Sequence, residues 1–223
     1  MLRIGYGGTL GYKQESRDSN VFFSAFRNYF WTYRNNFELS STRSPLNLFK
    51  ALQIINEQRE IDNSEILVSF WGAIDARYKE LVIEMGIENF VEISGFLSKE
   101  ASVSKLQEQD VLFLPLETGA SNHKTLFIPG KVFEYLIQMK PILIDDTSSD
   151  CSEIVKKSGL GLFTERGESY ALAELLLDLA DNPKKILDVH ANDEFIQSLS
   201  FENRAKEMAE VFNELLQSNI RYS

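Results

Sequence analysis

Short apolar runs alternate with amphipathic stretches along most of the chain. The runs end at Gly, Pro or Asp, which is typical of buried parallel strands. They predict strands at residues 2–6, 66–71, 91–94, 111–116, 141–144 and 161–163. Amphipathic stretches follow them, and this alternation predicts successive β-α-β units. The predicted fold class is α/β, a Rossmann-like doubly wound parallel sheet of about six strands with helices on both faces.

Helix positions follow from capping residues and from apolar residues at helical spacing. Ser44 stands at an N-cap position and Pro45 in the first turn of one helix. Other helices are predicted at residues 76–85, 99–107, 129–139, 151–157 and 201–217, with one more that ends near residue 182. Residues 1–200 are expected to form one domain, with an aromatic-rich insertion at about 13–42.

Composition narrows the function classes. The 223 residues carry 33 acidic against 23 basic side chains, and this net charge of −10 argues against broad contact with a nucleic-acid backbone. A single cysteine, Cys151, excludes an internal disulfide and fits a reducing compartment. There is no apolar run of transmembrane length and no signal-peptide pattern. We therefore expect a cytoplasmic protein, with peripheral contact at the inner face of the membrane left open.

The first predicted strand runs into a glycine-rich segment, residues 5–11, which is predicted to be a turn. It departs from the dinucleotide fingerprint because Leu10 stands where a glycine is needed. Three interpretations remain: dinucleotide binding, a tight turn alone, or close approach of the backbone to a phosphate or sugar. The third is favoured, since glycines allow that approach.

Residues 119–125 resemble half of a phosphate-binding P-loop. His123 occupies the place of the glycine that precedes Lys-Thr in that motif. A mobile loop that gates the substrate is the better interpretation.

Residues 128–136 are the most informative segment. Pro129 is expected in the first turn of a helix, where Gly130 and Lys131 would offer free N–H groups and a cation to an anion. Glu134 follows Lys131 by three residues and falls on the same side, so the two could grip a ligand with both phosphate and hydroxyls. The alternative is an ordinary surface ion pair.

No metal site is expected. His123 and His190 lie far apart in the chain, and Asp145 with Asp146 is interpreted as part of a loop. Cys151 heads a predicted helix, which could lower its pKa, but with no histidine close in sequence it is interpreted as structural.

Seven segments in order resemble the C-terminal, donor-binding half of retaining glycosyltransferases with the GT-B fold, family 4 or glycosyl transferases group 1. They are YGGTL (6–10), RSPLNLFKAL (43–52), FWG (70–72), VEISGF (91–96), DVLFLPL (110–116), PGKVFEYL (129–136) and KPIL (140–143). The resemblance covers residues 1–200 outside the insertion and implies that they bind a nucleotide-sugar.

The resemblance implies roles for single residues. Glu134 occupies the position of a glutamate that bonds the donor ribose. Arg43 stands where a lysine binds the donor pyrophosphate, and Lys131 is expected to share that work. Phe96 and Leu97 correspond to the segment whose backbone contacts the base.

Further donor-binding positions are implied in the first segment and at the start of the helix. They are Gly7, Gly8, Thr9 and Gly130. Two positions depart from the family: Thr9 stands where an arginine is frequent, and Leu126 where a first glutamate is frequent. The identity of the sugar is therefore left open.

The resemblance implies transfer of a sugar from a nucleoside-diphosphate sugar to an acceptor with retention, in cell-surface glycan synthesis, without metal or cofactor. An acceptor-binding half normally precedes this one. The chain is therefore expected to be a fragment or to pair with an acceptor subunit, and to be inactive alone. The helix at 201–223 would pack back on the domain or toward the acceptor half. The insertion would form a surface subdomain or contact a lipid-linked acceptor or membrane.

Two rival functions are compatible with the same fold. One is a non-catalytic nucleotide-binding or scaffolding domain of the same fold. The other, a sugar-nucleotide epimerase of similar architecture, would need a histidine-rich active site, and the chain has two histidines.

Overall fold

The computed structural model describes residues 1–12, 43–58, 65–116 and 128–220. The predicted aromatic insertion and the predicted gating loop at 119–125 lie outside these residues. No helix in the described ranges is both long and apolar enough to cross a membrane.

The described residues form one parallel sheet. Its strands are β1 Leu2–Leu10, β2 Ile66–Ile74, β3 Val91–Ser94, β4 Val111–Phe113, β5 Ile142–Ile144 and β6 Gly161–Phe163. The strand order is β3-β2-β1-β4-β5-β6, so the chain builds outward from β1 on one side and then crosses to the other. The predicted fold class is confirmed. The topological switch point lies between β1 and β4, where such folds place their ligands.

Helices connect and follow the strands. In the described ranges they are α1 Leu46–Gln58, α2 Ala76–Glu84, α3 Lys99–Gln107, α4 Lys131–Ile137, α5 Asp150–Lys157, α6 Ser169–Asp181, α7 Lys184–Leu187, α8 Asp193–Ser198 and α9 Phe201–Ile220. The start of α1 follows the predicted capping: the Leu46 amide donates to the Ser44 hydroxyl over 3.2 Å, and the Phe49 amide donates to the Pro45 carbonyl over 2.9 Å.

Apolar side chains cover both faces of the sheet. Residues of α1, α2 and α6 pack on one face in a core that includes Ile4, Phe70 and Phe113. Residues of α3, α4 and α5 pack on the other face around Leu112 and Ile144. Neighbouring strand residues point to opposite faces, which is why both Phe113 and Leu112 are buried. This two-sided burial is the doubly wound arrangement that the alternation predicted.

The predicted turn after Tyr6 is wrong, because β1 continues to Leu10. Gly7 pairs with Trp71 and Gly8 with Gly72, so the glycines lie inside a strand. A Cβ on Gly7 would come within 2.3 Å of the Trp71 indole nitrogen. The glycines therefore let the strand pass over a large buried indole instead of turning the chain.

Residues 7–10 of β1 and 72–74 of β2 form a two-stranded extension, here called the glycine ribbon. Strand β3 ends opposite Trp71, and β4 pairs with β1 only at Ile4 and Gly5. The ribbon therefore projects past the carboxyl edge of the neighbouring strands, at the switch point.

Smaller differences concern element ends. Strand β4 ends at Phe113, not at residue 116, and α4 begins at Lys131, two residues later than predicted. Helix α9 carries the predicted apolar stripe, with Met208, Val211 and Phe212 exposed by 61%, 54% and 57%. Its packing partner stays a prediction.

Gly72 is the tightest point of the ribbon. It has a φ of 116°, and a Cβ there would meet the Gly8 carbonyl oxygen at 2.2 Å. Gly72→Ala should lower the free energy of unfolding by more than about 2 kcal/mol, because it adds a backbone clash to a strained φ. Urea unfolding followed by circular dichroism measures the loss.

Gly86→Ala is the matched control. Gly86 also has a positive φ, 67°, but nothing lies within 4 Å of its Cβ position. Its replacement should cost only about 1 kcal/mol of backbone strain. Equal losses in the two variants would contradict the close approach at Gly72.

Candidate functional site

The candidate site lies where α4 meets the glycine ribbon. Lys131 is the first residue of α4, and its side chain reaches back to Gly8. A Cβ on Gly8 would come within 2.9 Å of the Lys131 Cε atom. The missing side chain at Gly8 therefore makes room for the lysine at the carboxyl edge of the sheet.

The Lys131 ammonium is held by a carboxylate and two rings. Its Nζ lies 3.1 Å from Glu134 Oε2, which confirms that the two side chains share one side of the helix. It also lies 5.9 Å from the ring centre of Tyr6 and 5.7 Å from that of Tyr135. The Lys131 side chain is 21% exposed and that of Glu134 is 64% exposed, so the carboxylate faces solvent and is open to a ligand.

Tyr6 is the common neighbour of the charged residues. It is buried, and its hydroxyl donates to the Thr9 carbonyl over 3.0 Å. Burial raises the pKa of Tyr6 to about 12, while the positive charge of Arg43 opposes the shift and the charge of Glu134 adds to it. Both residues must lie near the phenol to act on it. The phenol is neutral at physiological pH.

Tyr135 completes the group from α4. Its ring is fully buried, and burial raises its pKa well above the usual range, with Tyr6 adding to the shift. The backbone N–H of Gly7 lies near enough to its hydroxyl to oppose the shift in part. Lys131, Tyr6 and Tyr135 thus all lie against the glycine ribbon.

The structure brings together part of the predicted site. Arg43 lies near enough to Tyr6 and Cys151 for its positive charge to lower the pKa values of both, so it is near the phenol that Lys131 also contacts. Gly7, Gly8 and Thr9 form the β1 part of the ribbon. These predicted residues surround one corner of the sheet at the switch point.

Three other predicted positions lie apart from that corner or at its margin. Gly130 precedes α4, with open space where a Cβ would point. Phe96 and Leu97 follow β3, on the far side of β2. Phe96 is 85% exposed, whereas Leu97 packs on the core beneath.

Sequence reasoning missed Tyr6 and Tyr135. A signal was present: strand positions two apart share a face, which puts Tyr6 on the same side as Gly8. Tyr135 follows Lys131 by four residues, one helical turn away. The second spacing points to Lys131 directly, whereas the first does so only once Lys131 is known to lie over Gly8.

Cys151 and Asp146, which the sequence singled out, lie in α5 and in the segment just before it. Burial raises the pKa of Cys151 to about 12, and the buried thiol fits the interpretation of Cys151 as structural. Asp146 accepts from the Ser149 amide at 3.1 Å and lies 3.3 Å from Arg166. The interpretation of Asp146 as part of a loop is therefore confirmed. In the described ranges no group of three or more His, Cys, Asp or Glu could hold a metal ion.

The burial of Cys151 and its raised pKa predict slow reaction of its thiol. With a pKa of about 12, only about one thiol in ten thousand is ionised at pH 8, and the side chain is fully buried. The native protein should react with an aromatic disulfide reagent at least about a hundredfold more slowly than the protein unfolded in urea. Absorbance of the released thiolate measures both rates, and equal rates would contradict the burial.

Comparisons with known proteins bear on the fold and on the resemblance to glycosyltransferases. No family model matches the chain. The chain is 24% identical over 157 residues to the amylovoran biosynthesis glycosyltransferase AmsK of Erwinia amylovora. This chain is similar to a glycosyltransferase. The aligned part is 68% of the chain and 37% of AmsK, so the chain spans little more than a third of that relative.

Solved structures share the fold. HepE of Anabaena, solved in complex with UDP, has a TM-score of 0.57 at 20% identity, over 88% of this chain and 54% of HepE. Sucrose-phosphate synthase of Thermosynechococcus elongatus has a TM-score of 0.60 at 16% identity, over 79% of this chain and 43% of the synthase. The resemblance to GT-B glycosyltransferases is thereby confirmed, and membership of family 4 and retention stay predictions.

Proposed function

We propose that this chain is the donor-binding half of a glycosyltransferase that moves a sugar from a nucleoside-diphosphate sugar to an acceptor. One observation carries the proposal. A cation and an open carboxylate stand three residues apart at the start of α4, against a glycine ribbon at the switch point of the sheet. A ligand that carries both phosphates and hydroxyls matches that combination.

The diphosphate would lie along the ribbon between Lys131 and Arg43. Gly8 lacks a side chain and the Lys131 stem lies over it, so a phosphate bound by the ammonium would lie beside the ribbon backbone, whereas the Trp71 indole covers Gly7. The two cations would stabilise the charge that develops on the departing diphosphate. The contribution of this half to catalysis is therefore electrostatic.

The ribose would be bound by Glu134. Its side chain is 64% exposed, and its carboxylate pairs with Lys131. An exposed pair of this kind is weak, so a ligand can replace it: the phosphates would take the ammonium and the ribose hydroxyls the carboxylate. The backbone at Phe96 and Leu97 would contact the base from the other side of the ribbon.

The wider activity is also part of the proposal. AmsK is named for the synthesis of amylovoran, which favours a role in cell-surface glycan synthesis. We propose transfer with retention and without a metal or cofactor. The acceptor, a glycan or a lipid-linked glycan, would be bound by a separate acceptor half, in the cytoplasm or at the inner face of the membrane.

Nucleotide titration tests the role of Glu134. Glu134→Gln should weaken UDP and uridine alike, by about ten- to a hundredfold, because it removes charge-assisted bonds to ribose worth about 1.5 to 3 kcal/mol. Calorimetric titration of UDP, GDP and ADP into the wild type first identifies the base. Glu202→Gln on α9, which breaks another lysine–glutamate pair, is the control and should change nothing.

The cations should behave differently from Glu134. Lys131→Ala and Arg43→Ala should weaken UDP much more than uridine, and the difference should shrink as salt rises because ion pairing is screened. Lys206→Ala removes the same charge from α9 and serves as the control. Unchanged UDP affinity in both site variants would refute the proposed site.

Turnover separates an enzyme half from a binding or scaffolding domain. The isolated chain should bind a nucleoside diphosphate and transfer no sugar, because the proposed residues all serve the donor. Product analysis with a labelled nucleotide-sugar checks this. Transfer by the 223-residue chain alone would contradict the proposal that this half serves only the donor. No transfer when a separate acceptor-binding half is also supplied would favour the scaffolding alternative.

A further inference from the structure

Lys131 needs more than Glu134 to be held in place. Ordering a lysine side chain costs rotamer entropy, and an exposed ion pair between residues three apart contributes little against that cost. Glu134 is 64% exposed, so its pair with Lys131 is open to water. Yet the Lys131 side chain is only 21% exposed, and its stem lies against the ribbon. Other contacts must account for that placement.

The two buried rings supply those contacts. Tyr6 and Tyr135 lie 5.9 Å and 5.7 Å from Lys131 Nζ, within the range of cation–π attraction. Both rings are buried, at 2% and 0% exposure, so they cannot swing away as surface side chains do. The lysine thus extends over a fixed aromatic surface, with its stem against Gly8.

We propose that Tyr6 and Tyr135 are positioning residues, which hold the Lys131 ammonium at the glycine ribbon where it meets the donor diphosphate. The inference rests on the proposed function. Tyr6 also contacts the ribbon directly, because its hydroxyl donates to the Thr9 carbonyl over 3.0 Å. One side chain therefore joins the ribbon to the cation.

Neutral phenols suit this task. A phenolate beside Lys131 would form an ion pair that competes with the phosphate for the ammonium. Burial raises the pKa of Tyr6 to about 12 and that of Tyr135 well above its ordinary value, so both rings stay uncharged. They attract the ammonium through the ring face without neutralising it.

Replacing Tyr6 by an aliphatic residue and by another aromatic residue separates the contribution of the ring from that of the hydroxyl. Tyr6→Leu should weaken UDP about three- to tenfold and leave uridine unchanged, because only the phosphate contact depends on Lys131. Tyr6→Phe keeps the ring and should stay within about twofold of the wild type. If Tyr6→Phe lost as much affinity as Tyr6→Leu, the ring would not be the cause and the inference would be wrong.

A double-mutant cycle shows whether the effect runs through the lysine. In a Lys131→Ala background, Tyr6→Leu should cause no further loss of UDP affinity. Additive losses would overturn the inference. Phe163→Leu is the matched control, since Lys156 Nζ lies 5.7 Å from the Phe163 ring, a similar contact in another cation–ring pair. It should leave UDP affinity unchanged.

A measurement without nucleotide distinguishes this inference from the proposed function. The ε-methylene protons of Lys131, assigned by comparison with Lys131→Ala, should show an upfield ring-current shift in the proton spectrum of the wild type. Tyr6→Leu should reduce the shift. If the shift is present but UDP does not bind, the proposed function fails and the positioning stands. If UDP binds and the wild type shows no shift, the positioning inference is wrong. This outcome needs only the wild type and Lys131→Ala, so it can be read even if Tyr6→Leu does not fold.

Discussion

The close pairing of β1 and β2 beyond the edge of the sheet is the constraint on which the site depends. Gly8 and Gly72 face each other so tightly that a Cβ on Gly72 would meet a backbone oxygen at 2.2 Å. A Cβ on Gly7 would meet the Trp71 indole. Because Gly8 has no side chain, Lys131 can reach across the ribbon, and a phosphate that meets its ammonium would lie beside the ribbon backbone.

Electrostatics at this edge follows from that packing. The chain as a whole is acidic, at −10, so a site for a diphosphate has to be built locally. Lys131 lies against the ring of Tyr6 and pairs with Glu134, and the positive charge of Arg43 also acts on that phenol. A tyrosine phenol is neutral at physiological pH and burial raises its pKa further, so the phenol does not neutralise the lysine charge.

Much of the fold could be predicted because its physics is local. Strand β3 and helix α3 have the predicted bounds, since apolar runs and a serine cap mark them in the sequence. The ribbon could not be predicted in the same way: a glycine in isolation signals a turn, and its use here depends on Trp71, more than sixty residues away. Of the candidate site, the Lys131–Glu134 pair followed from helical spacing. The tyrosines did not, because their role depends on how β1 packs against α4.

The strand order also bears on how the protein reaches its native state. Strand β1 is the first in the chain and sits in the middle of the sheet, where Ile4 pairs with both Val68 and Val111. Its second neighbour arrives only after more than a hundred residues, so closing that pairing carries a large loop entropy. Until β4 and α4 emerge, one edge of β1 stays open to other strands. Misassembly should therefore compete most strongly with folding at the step in which β4 and α4 join β1, and the same step completes the site.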